Sequence, residues 1–300
     1  MSRVLVAARD GLHVFDERGS QGDVHLNGRS VTAIVRDGPE LWAIVDRAEV
    51  WYAPEDRWRP VATLDGVEAT CLAMTDAILV GSSQARLFRL AGGTLEPIEG
   101  FDAAEARDTW YTPWGGPPDT RSISEWGNDV FVNVHVGGIL HTADGGTTWN
   151  PTIDIDADVH QVATAEDLVL AACAGGLSAS TDGGATWSLR TEGLEARYSR
   201  AVVVCGDRVL VSTSDGPRGG RAGIYRAGLV SGAFERCRAG LPEWFDGNID
   251  TYCLDALNDG SFAAFGTADG HVYRSDDGGL TWRELVTGLP PVQHVLLVPD

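Results

Sequence analysis

Two histidines and the aspartates next to one of them are the residues of this chain best suited to hold a metal. His135 ends the strand-like run "FVNVH", and His160 follows shortly after Asp156 and Asp158. Two imidazoles and one carboxylate are a ligand set for a divalent transition metal. The sequence therefore predicts a divalent-metal site (Zn, Mn, Fe or Ca) at His135, His160 and one of Asp156 or Asp158, with Asp158 as the chosen ligand. No local motif such as HExxH is present, so the alternative is that each histidine only forms hydrogen bonds in a polar channel.

Carboxylates, a tyrosine and one of these histidines could also carry out acid–base chemistry. Glu243 and Asp250 occur in the loop-like stretch "GLPEWFDGNIDTY", and Tyr198 occurs in "EGLEARYSR". A pair of carboxylates is what a glycan hydrolase needs, and imidazole is the commonest general acid or base. If the chain is an enzyme, we expect a hydrolase or lyase, glycosidase-like or metal-assisted, with His160, Asp250, Glu243 and Tyr198 as catalytic residues. The sequence identifies no reaction.

Arginine and tryptophan side chains in neighbouring stretches fit a polar or anionic ligand. Guanidinium groups clamp anions, and indole rings are flat platforms for sugar rings or peptides. We expect binding, with or without turnover, of a small polar or anionic ligand such as a carbohydrate. The competing interpretation is a non-catalytic scaffold or assembly factor that binds a protein or peptide, with the aromatic rings as loop anchors. The ligand-binding candidates are Arg121, Arg200, Arg221, Trp110, Trp114 and Trp244.

Composition excludes several classes of partner. The formal net charge is −20, and all 23 cationic residues are arginine. Nucleic acids and anionic membranes need a basic footprint, so neither is expected as a partner. No run reaches the roughly 18 apolar residues that cross a bilayer, and the N-terminus has no signal-peptide core. We therefore expect a cytoplasmic protein, monomeric, whose five cysteines are reduced thiols.

The elements that must position these side chains are short strands in a repeat. Tryptophans in similar contexts, Trp149, Trp187 and Trp282, recur at about 45 residues or a multiple of it. Between them, apolar runs bounded by Gly, Asp and Pro read as four strands per repeat, which is typical of propeller blades. The count predicts an all-β, seven-bladed propeller of four-stranded antiparallel blades, as one domain over residues 1–300. The C-terminal run "VQHVLLVPD" should supply the first strand of the N-terminal blade.

The recurring motif resembles a known repeat. The pattern Ser/Thr-x-Asp-x-Gly-x-Thr-Trp, in Thr142–Trp149, Ser180–Trp187 and Ser275–Trp282, is similar to the Asp-box (BNR) repeat of sialidases, sortilin-type receptor domains and photosystem assembly factors. The resemblance implies a propeller with the boxes between third and fourth strands, away from the binding face. An aspartate in such a turn can accept hydrogen bonds from its own backbone, and we expect a structural role for the boxes.

The resemblance also implies where a ligand would bind. Loops from fourth strands into the next first strands, and from second into third strands, should open at the other end of a central channel. The longest is Phe101–Ser122, a length that indicates function. Arg121, His160, Arg200 and His294 are expected at inner positions of first strands. A sialidase-like clamp from Arg121, Arg200 and Arg218 or Arg221, with Tyr198 or Tyr111, is disfavoured because the chain has no Phe-Arg-Ile-Pro-like segment near its N-terminus.

Overall fold

The computed structural model describes residues 2–299 of the chain, and strands and their turns account for nearly all of them. Helical structure in this range is limited to α1 (Glu99–Asp102) and the short 3-10 turns Pro54–Asp56, Glu105–Thr109 and Ile155–Ala157. The strands, in chain order, are β1 (Arg3–Ala8), β2 (Gly11–Asp16), β3 (Gln21–His25), β4 (Val31–Asp37), β5 (Glu40–Val45), β6 (Glu49–Ala53), β7 (Arg59–Thr63), β8 (Ala69–Met74), β9 (Ile78–Ser82), β10 (Arg86–Ala91), β11 (Thr94–Pro97), β12 (Thr120–Trp126), β13 (Asp129–Val134), β14 (Gly138–Thr142), β15 (Asn150–Pro151), β16 (Val159–Ala165), β17 (Leu168–Cys173), β18 (Gly176–Ser180), β19 (Ser188–Arg190), β20 (Tyr198–Cys205), β21 (Arg208–Ser214), β22 (Gly223–Gly228), β23 (Glu235–Arg236), β24 (Leu254–Ala256), β25 (Ala263–Gly266), β26 (Val272–Ser275), β27 (Arg283–Val286) and β28 (His294–Val298).

These strands form seven four-stranded sheets in the described range. Six sheets follow the chain in order, from β4–β7 through β24–β27, and the seventh has the order β28-β1-β2-β3. This is the strand organisation of a seven-bladed β-propeller with antiparallel blades, and it confirms the predicted fold class. In the seventh sheet β28 pairs with β1 from Arg3 opposite Val298 to Ala7 opposite His294, which confirms that the C-terminal strand completes the N-terminal blade.

The residues of the chain group into two compact units. The first unit comprises Met1–Val31, Ala172–Ala179 and Ser188–Asp300, and the second comprises Thr32–Ala171 and Ser180–Trp187. The first contains the sheets β28-β1-β2-β3, β20–β23 and β24–β27, and the second contains β4–β7, β8–β11 and β12–β15. The sheet β16–β19 contributes residues to both.

Aromatic packing fills the core of the first unit. Phe265 stacks on Tyr273 with ring centroids 5.1 Å apart and meets the edge of Trp282 at 5.0 Å. Trp282 belongs to the third box and is almost fully buried. Its backbone N–H donates to the carbonyl of Ala239, and a Cβ on the neighbouring Gly240 would lie 1.7 Å from the Trp282 carbonyl oxygen. Only glycine, at a φ of +82°, permits this approach of two chain segments.

The three boxes connect third to fourth strands of their sheets: β14 to β15, β18 to β19 and β26 to β27. In the first box Asp144 accepts the backbone N–H groups of Thr147 and Thr148 at 3.0 and 2.9 Å and the Thr148 hydroxyl at 2.7 Å. The hydrogen bond from the Thr148 backbone is the largest cause that lowers the pKa of Asp144 to about 2. Asp182 accepts the backbone N–H and the hydroxyl of Thr186, and Asp277 accepts those of Thr281, as Asp144 does from Thr148. All three carboxylates therefore brace turns.

Candidate functional site

The structure brings together the three residues predicted to bind a metal. In the second unit His135 follows the end of β13, Asp158 ends the 3-10 turn Ile155–Ala157, and His160 is the second residue of β16. One ligand atom from each residue lies within 4.8 Å of the others. The Asp158 carboxylate oxygen Oδ1 is 3.4 Å from Nε2 of His135 and 3.7 Å from Nε2 of His160. The side chain of His160 is fully buried and that of His135 nearly so.

Local backbone structure places these groups. Asp154 begins the 3-10 turn and accepts the N–H of Asp156 at 2.9 Å, which is the capping expected of aspartate. Asp158 then adopts a left-handed conformation with φ of +47°, which aspartate tolerates better than most residues. The backbone N–H of His135 donates to the Asp119 carbonyl at 2.9 Å. The β13–β14 connection and the β15–β16 connection thus meet at the histidine pair.

Trp114 forms one side of this cluster, and Trp110 does not take part in it. The Trp114 ring lies 5.1 Å from the His135 ring, centroid to centroid, and is 71% exposed. Trp110 instead packs on Phe101 at 6.0 Å and lies under the guanidinium of Arg107 at 5.2 Å. Of the three tryptophans predicted to bind ligand, Trp110 is an anchor of the long loop. That loop is partly helical, and its last residues already belong to β12.

Arg121 lies at a β-bulge beside the cluster. The pairing of β12 with β13 shifts between Thr120 and Ser122, so Arg121 is displaced from the regular ladder. The positive charge of Arg121 also helps to lower the pKa of Asp158. Burial acts to raise the pKa of Asp158, but the contact with His135 and the charges of His160 and Arg121 outweigh burial and hold that pKa below its ordinary value.

In the first unit, three predicted site residues form one internal cluster. Arg200 lies at an equivalent bulge, where the pairing of β20 with β21 shifts between Ser199 and Val202. Its guanidinium forms an ion pair with Asp250 at 3.0 Å and lies 5.2 Å from the Tyr198 ring centroid. The cation expected to clamp a ligand therefore contacts both the carboxylate and the tyrosine.

Arg221 is paired in the same manner. Its guanidinium donates two hydrogen bonds to the Asp215 carboxylate, at 2.7 and 3.1 Å. These bonds raise the pKa of Arg221. The guanidinium also lies 5.7 Å from the centroid of the Trp244 ring, and Arg236 lies over the same ring at 3.6 Å. Glu243 lies exposed immediately before Trp244.

A cavity of about 380 Å³ opens beside Trp244. It combines aromatic rings with carboxylates, and the sequence did not single out its residues from the β25–β26 turn. The His271 ring is hydrogen-bonded to the Glu284 carboxylate at 2.8 Å. It also stacks with the Tyr273 ring, with the ring centroids 6.2 Å apart. We call this feature the Trp244 cavity, lined by Trp244, Phe245, Asp246, Asp269, His271 and Tyr273.

The sequence gives only a weak indication of the cavity residues that come from the β25–β26 turn. Asp269 and His271 come from "GTADGHVY", which resembles any other strand–turn–strand segment of the chain. Only the fold places this turn beside Trp244, because blade geometry sets which connections are neighbours.

Comparisons with known proteins define the fold. No model of a protein family matches the chain, and no curated protein matches it. Solved structures do: the computationally designed Ika8 protein shares 15% identity over 97% of this chain and 86% of its own, with a TM-score of 0.62. YCF48 from Cyanidioschyzon merolae shares 17% identity over 90% and 94%, with a TM-score of 0.60. The WD40 repeats of RRP9 share 11% identity over 96% and 86%, with a TM-score of 0.62. The chain is therefore a β-propeller with designed and natural structural neighbours. Among the described residues, no helix has the length and apolar character required to span a bilayer.

Proposed function

We propose that this chain is a non-catalytic scaffold that binds a protein segment carrying arginine or lysine, and that the Trp244 cavity receives one such side chain. The observation that carries the proposal is the composition of that cavity: aromatic rings and two carboxylates around about 380 Å³. Cavities of this size hold a long side chain, and aromatic faces together with acids favour a cationic one.

Charge supports a basic partner. Asp246 and Asp269 are both exposed, and within residues 2–299 neither carboxylate forms an ion pair with an arginine. The guanidinium of Arg236 already covers one face of the Trp244 ring, so the two exposed carboxylates rather than that face would attract an incoming cation. A net charge of −20 attracts a basic segment and raises its rate of association at low salt.

Ion pairing within the first unit favours the scaffold over an anion-binding enzyme. An anionic ligand would have to replace Asp250 at Arg200 and Asp215 at Arg221, because both guanidinium groups are already bound to carboxylates. The catalytic assignments of Glu243, Asp250 and Tyr198 gain no support from these contacts. Binding of a small polar ligand remains the second candidate, and the position of Trp114 beside His135 favours it.

The bonds within the boxes support a place among Asp-box propellers, because each aspartate binds its own turn in the same way. The resemblance of the boxes to those of photosystem assembly factors agrees with a scaffold. That residues 1–300 form one domain and act as a monomer stays a prediction, and sedimentation velocity of the purified chain tests it.

Fluorescence anisotropy with a labelled tetra-arginine peptide tests the proposal. We expect saturable binding that Asp269→Asn weakens about three- to tenfold, which corresponds to the loss of one cation contact. The control is Asp207→Asn, which removes the same charge from an exposed position outside the cavity. Equal weakening by both variants, or no effect of Trp244→Leu, would show that the peptide only follows the net charge.

A further inference from the structure

We propose that His135, Asp158 and His160 bind one divalent transition metal ion of the zinc, cobalt or nickel class, through the two Nε2 atoms and a carboxylate oxygen. This site lies wholly in the second unit and is separate from the Trp244 cavity. It therefore stands or fails independently of the proposed scaffold function.

The spacing of the ligand atoms favours a shared ion over hydrogen bonds. The distances of 3.4 and 3.7 Å from Asp158 Oδ1 to the two Nε2 atoms exceed the about 2.9 Å of an ordinary N–H···O bond. Two ligand atoms bound to one zinc ion at about 2.0–2.1 Å, with tetrahedral angles, lie about 3.3 Å apart. The two distances from Asp158 are thus close to those of a coordinated set, and the ligand atoms of the two histidines lie within 4.8 Å of each other.

Burial makes the arrangement specific. The His160 side chain is fully buried and the His135 side chain is 8% exposed, while Asp158 retains 28% exposure. A metal could reach the site from the side of Asp158, where water has access. Trp114 packs on the His135 ring at 5.1 Å and restricts its orientation.

The donor set selects the kind of metal. Two of the three donors are imidazole nitrogens, which suit Zn, Co, Ni and Fe, whereas Ca prefers six to eight oxygen donors. Calcium, one of the ions considered from the sequence, is therefore disfavoured. Three protein ligands leave at least one coordination position for water or another small ligand.

Isothermal titration calorimetry with Zn²⁺ alone, on the full chain prepared with a chelator and then freed of it, tests the proposal. We expect one ion per chain, and Asp158→Asn should weaken binding at least tenfold. The matched control is Asp156→Asn, because this exposed carboxylate lies on the same turn and outside the ligand set. Its affinity should equal that of the unmodified chain.

A spectroscopic readout separates coordination from surface binding. Co²⁺ should give visible d–d absorption that His135→Asn abolishes and that Zn²⁺ displaces. His160 is fully buried, so Asp158→Asn and His135→Asn carry the test if a His160 variant does not fold. No saturable one-to-one binding of Zn²⁺ or Co²⁺ up to about 100 μM, or equal affinity in Asp158→Asn and Asp156→Asn, overturns the proposal.

Discussion

The tryptophans of the boxes occupy the same place in the motif but are buried to different degrees. This difference allows a quantitative test of the structural role of the boxes. Trp282 is 4% exposed, contacts the Phe265 ring edge-on at 5.0 Å, and donates its indole N–H to the Gly279 carbonyl at 3.1 Å. Trp187 makes the matching bond to Gly184, but its ring is only half-buried. If the tryptophans act by filling space, Trp282→Ala must destabilise the protein more than Trp187→Ala.

Magnitudes follow from the buried contacts. Removing a buried tryptophan costs about 3–5 kcal/mol, and losing the aromatic pair adds about 0.5–1.5 kcal/mol. We therefore expect about 3.5–6.5 kcal/mol for Trp282→Ala and about half of that for the half-buried Trp187. Trp282→Phe retains most of the buried area and should cost about 1–2 kcal/mol, mainly through the lost indole hydrogen bond.

Urea unfolding followed by circular dichroism measures these differences, with each transition fitted separately if more than one is seen. Binding of tetra-arginine, measured on the folded variants, serves as the control and should stay unchanged. A Trp187→Ala variant as unstable as Trp282→Ala would contradict the space-filling account. So would a Trp282→Ala variant that keeps its stability and loses peptide binding, because the box would then belong to the binding site.

Three further predictions concern a buried histidine, a close backbone approach and the cation beside the cluster of His135, Asp158 and His160. Burial lowers the pKa of His294 to about 3. Between pH 6.5 and the pKa of His294 in the folded protein, the unfolded chain binds a proton at this residue that the folded chain does not bind. The free energy of unfolding therefore falls as the pH falls, by about 2 kcal/mol at pH 5. His294→Phe should flatten the dependence of Tm on pH between pH 7.5 and 5, and an unchanged slope would refute burial of His294 as the cause. Gly240→Ala should lower the free energy of unfolding by more than about 3 kcal/mol, because the added Cβ meets the Trp282 carbonyl. Gly232 has a similar positive φ but open space around it, so Gly232→Ala should cost about 1–2 kcal/mol. Urea unfolding measures both variants, and equal costs would exclude the steric reason. Arg121→Met should strengthen Zn²⁺ binding a few-fold in calorimetry by removing a repelling charge, and weaker binding would instead make Arg121 a group that supports the site.

Periodic features of the fold were accessible from the sequence. Strand alternation and the recurring boxes set the seven blades, and the apolar run at His294–Val298 identified the strand that pairs with β1. The meeting of His135 with His160 was also predictable. One follows a second strand and the other begins the next blade, and blade order makes such connections neighbours.

Features that depend on side-chain partners were not accessible. Sequence periodicity does not reveal the bulges at Arg121 and Arg200, because a bulge is a mismatch between two strands rather than a property of one. The pairing of Arg200 with Asp250 joins residues far apart in the chain, and it changes an expected anion clamp into an internal ion pair. The sequence offered the role of Trp110 as a loop anchor only as an alternative to ligand binding, and its contact with Phe101, which its sequence neighbours do not encode, supports the anchor.

The most direct test of the proposed scaffold function is to locate a bound basic peptide on the protein. A tetra-arginine peptide with a photoreactive group at one end is crosslinked to the full chain, and the modified segments are identified by mass spectrometry. The account predicts crosslinks within residues 242–247 and 267–273, the two segments that contain the lining of the Trp244 cavity, and their loss in Asp269→Asn. Crosslinks spread over acidic surfaces elsewhere, with the same pattern in Asp269→Asn, would contradict it.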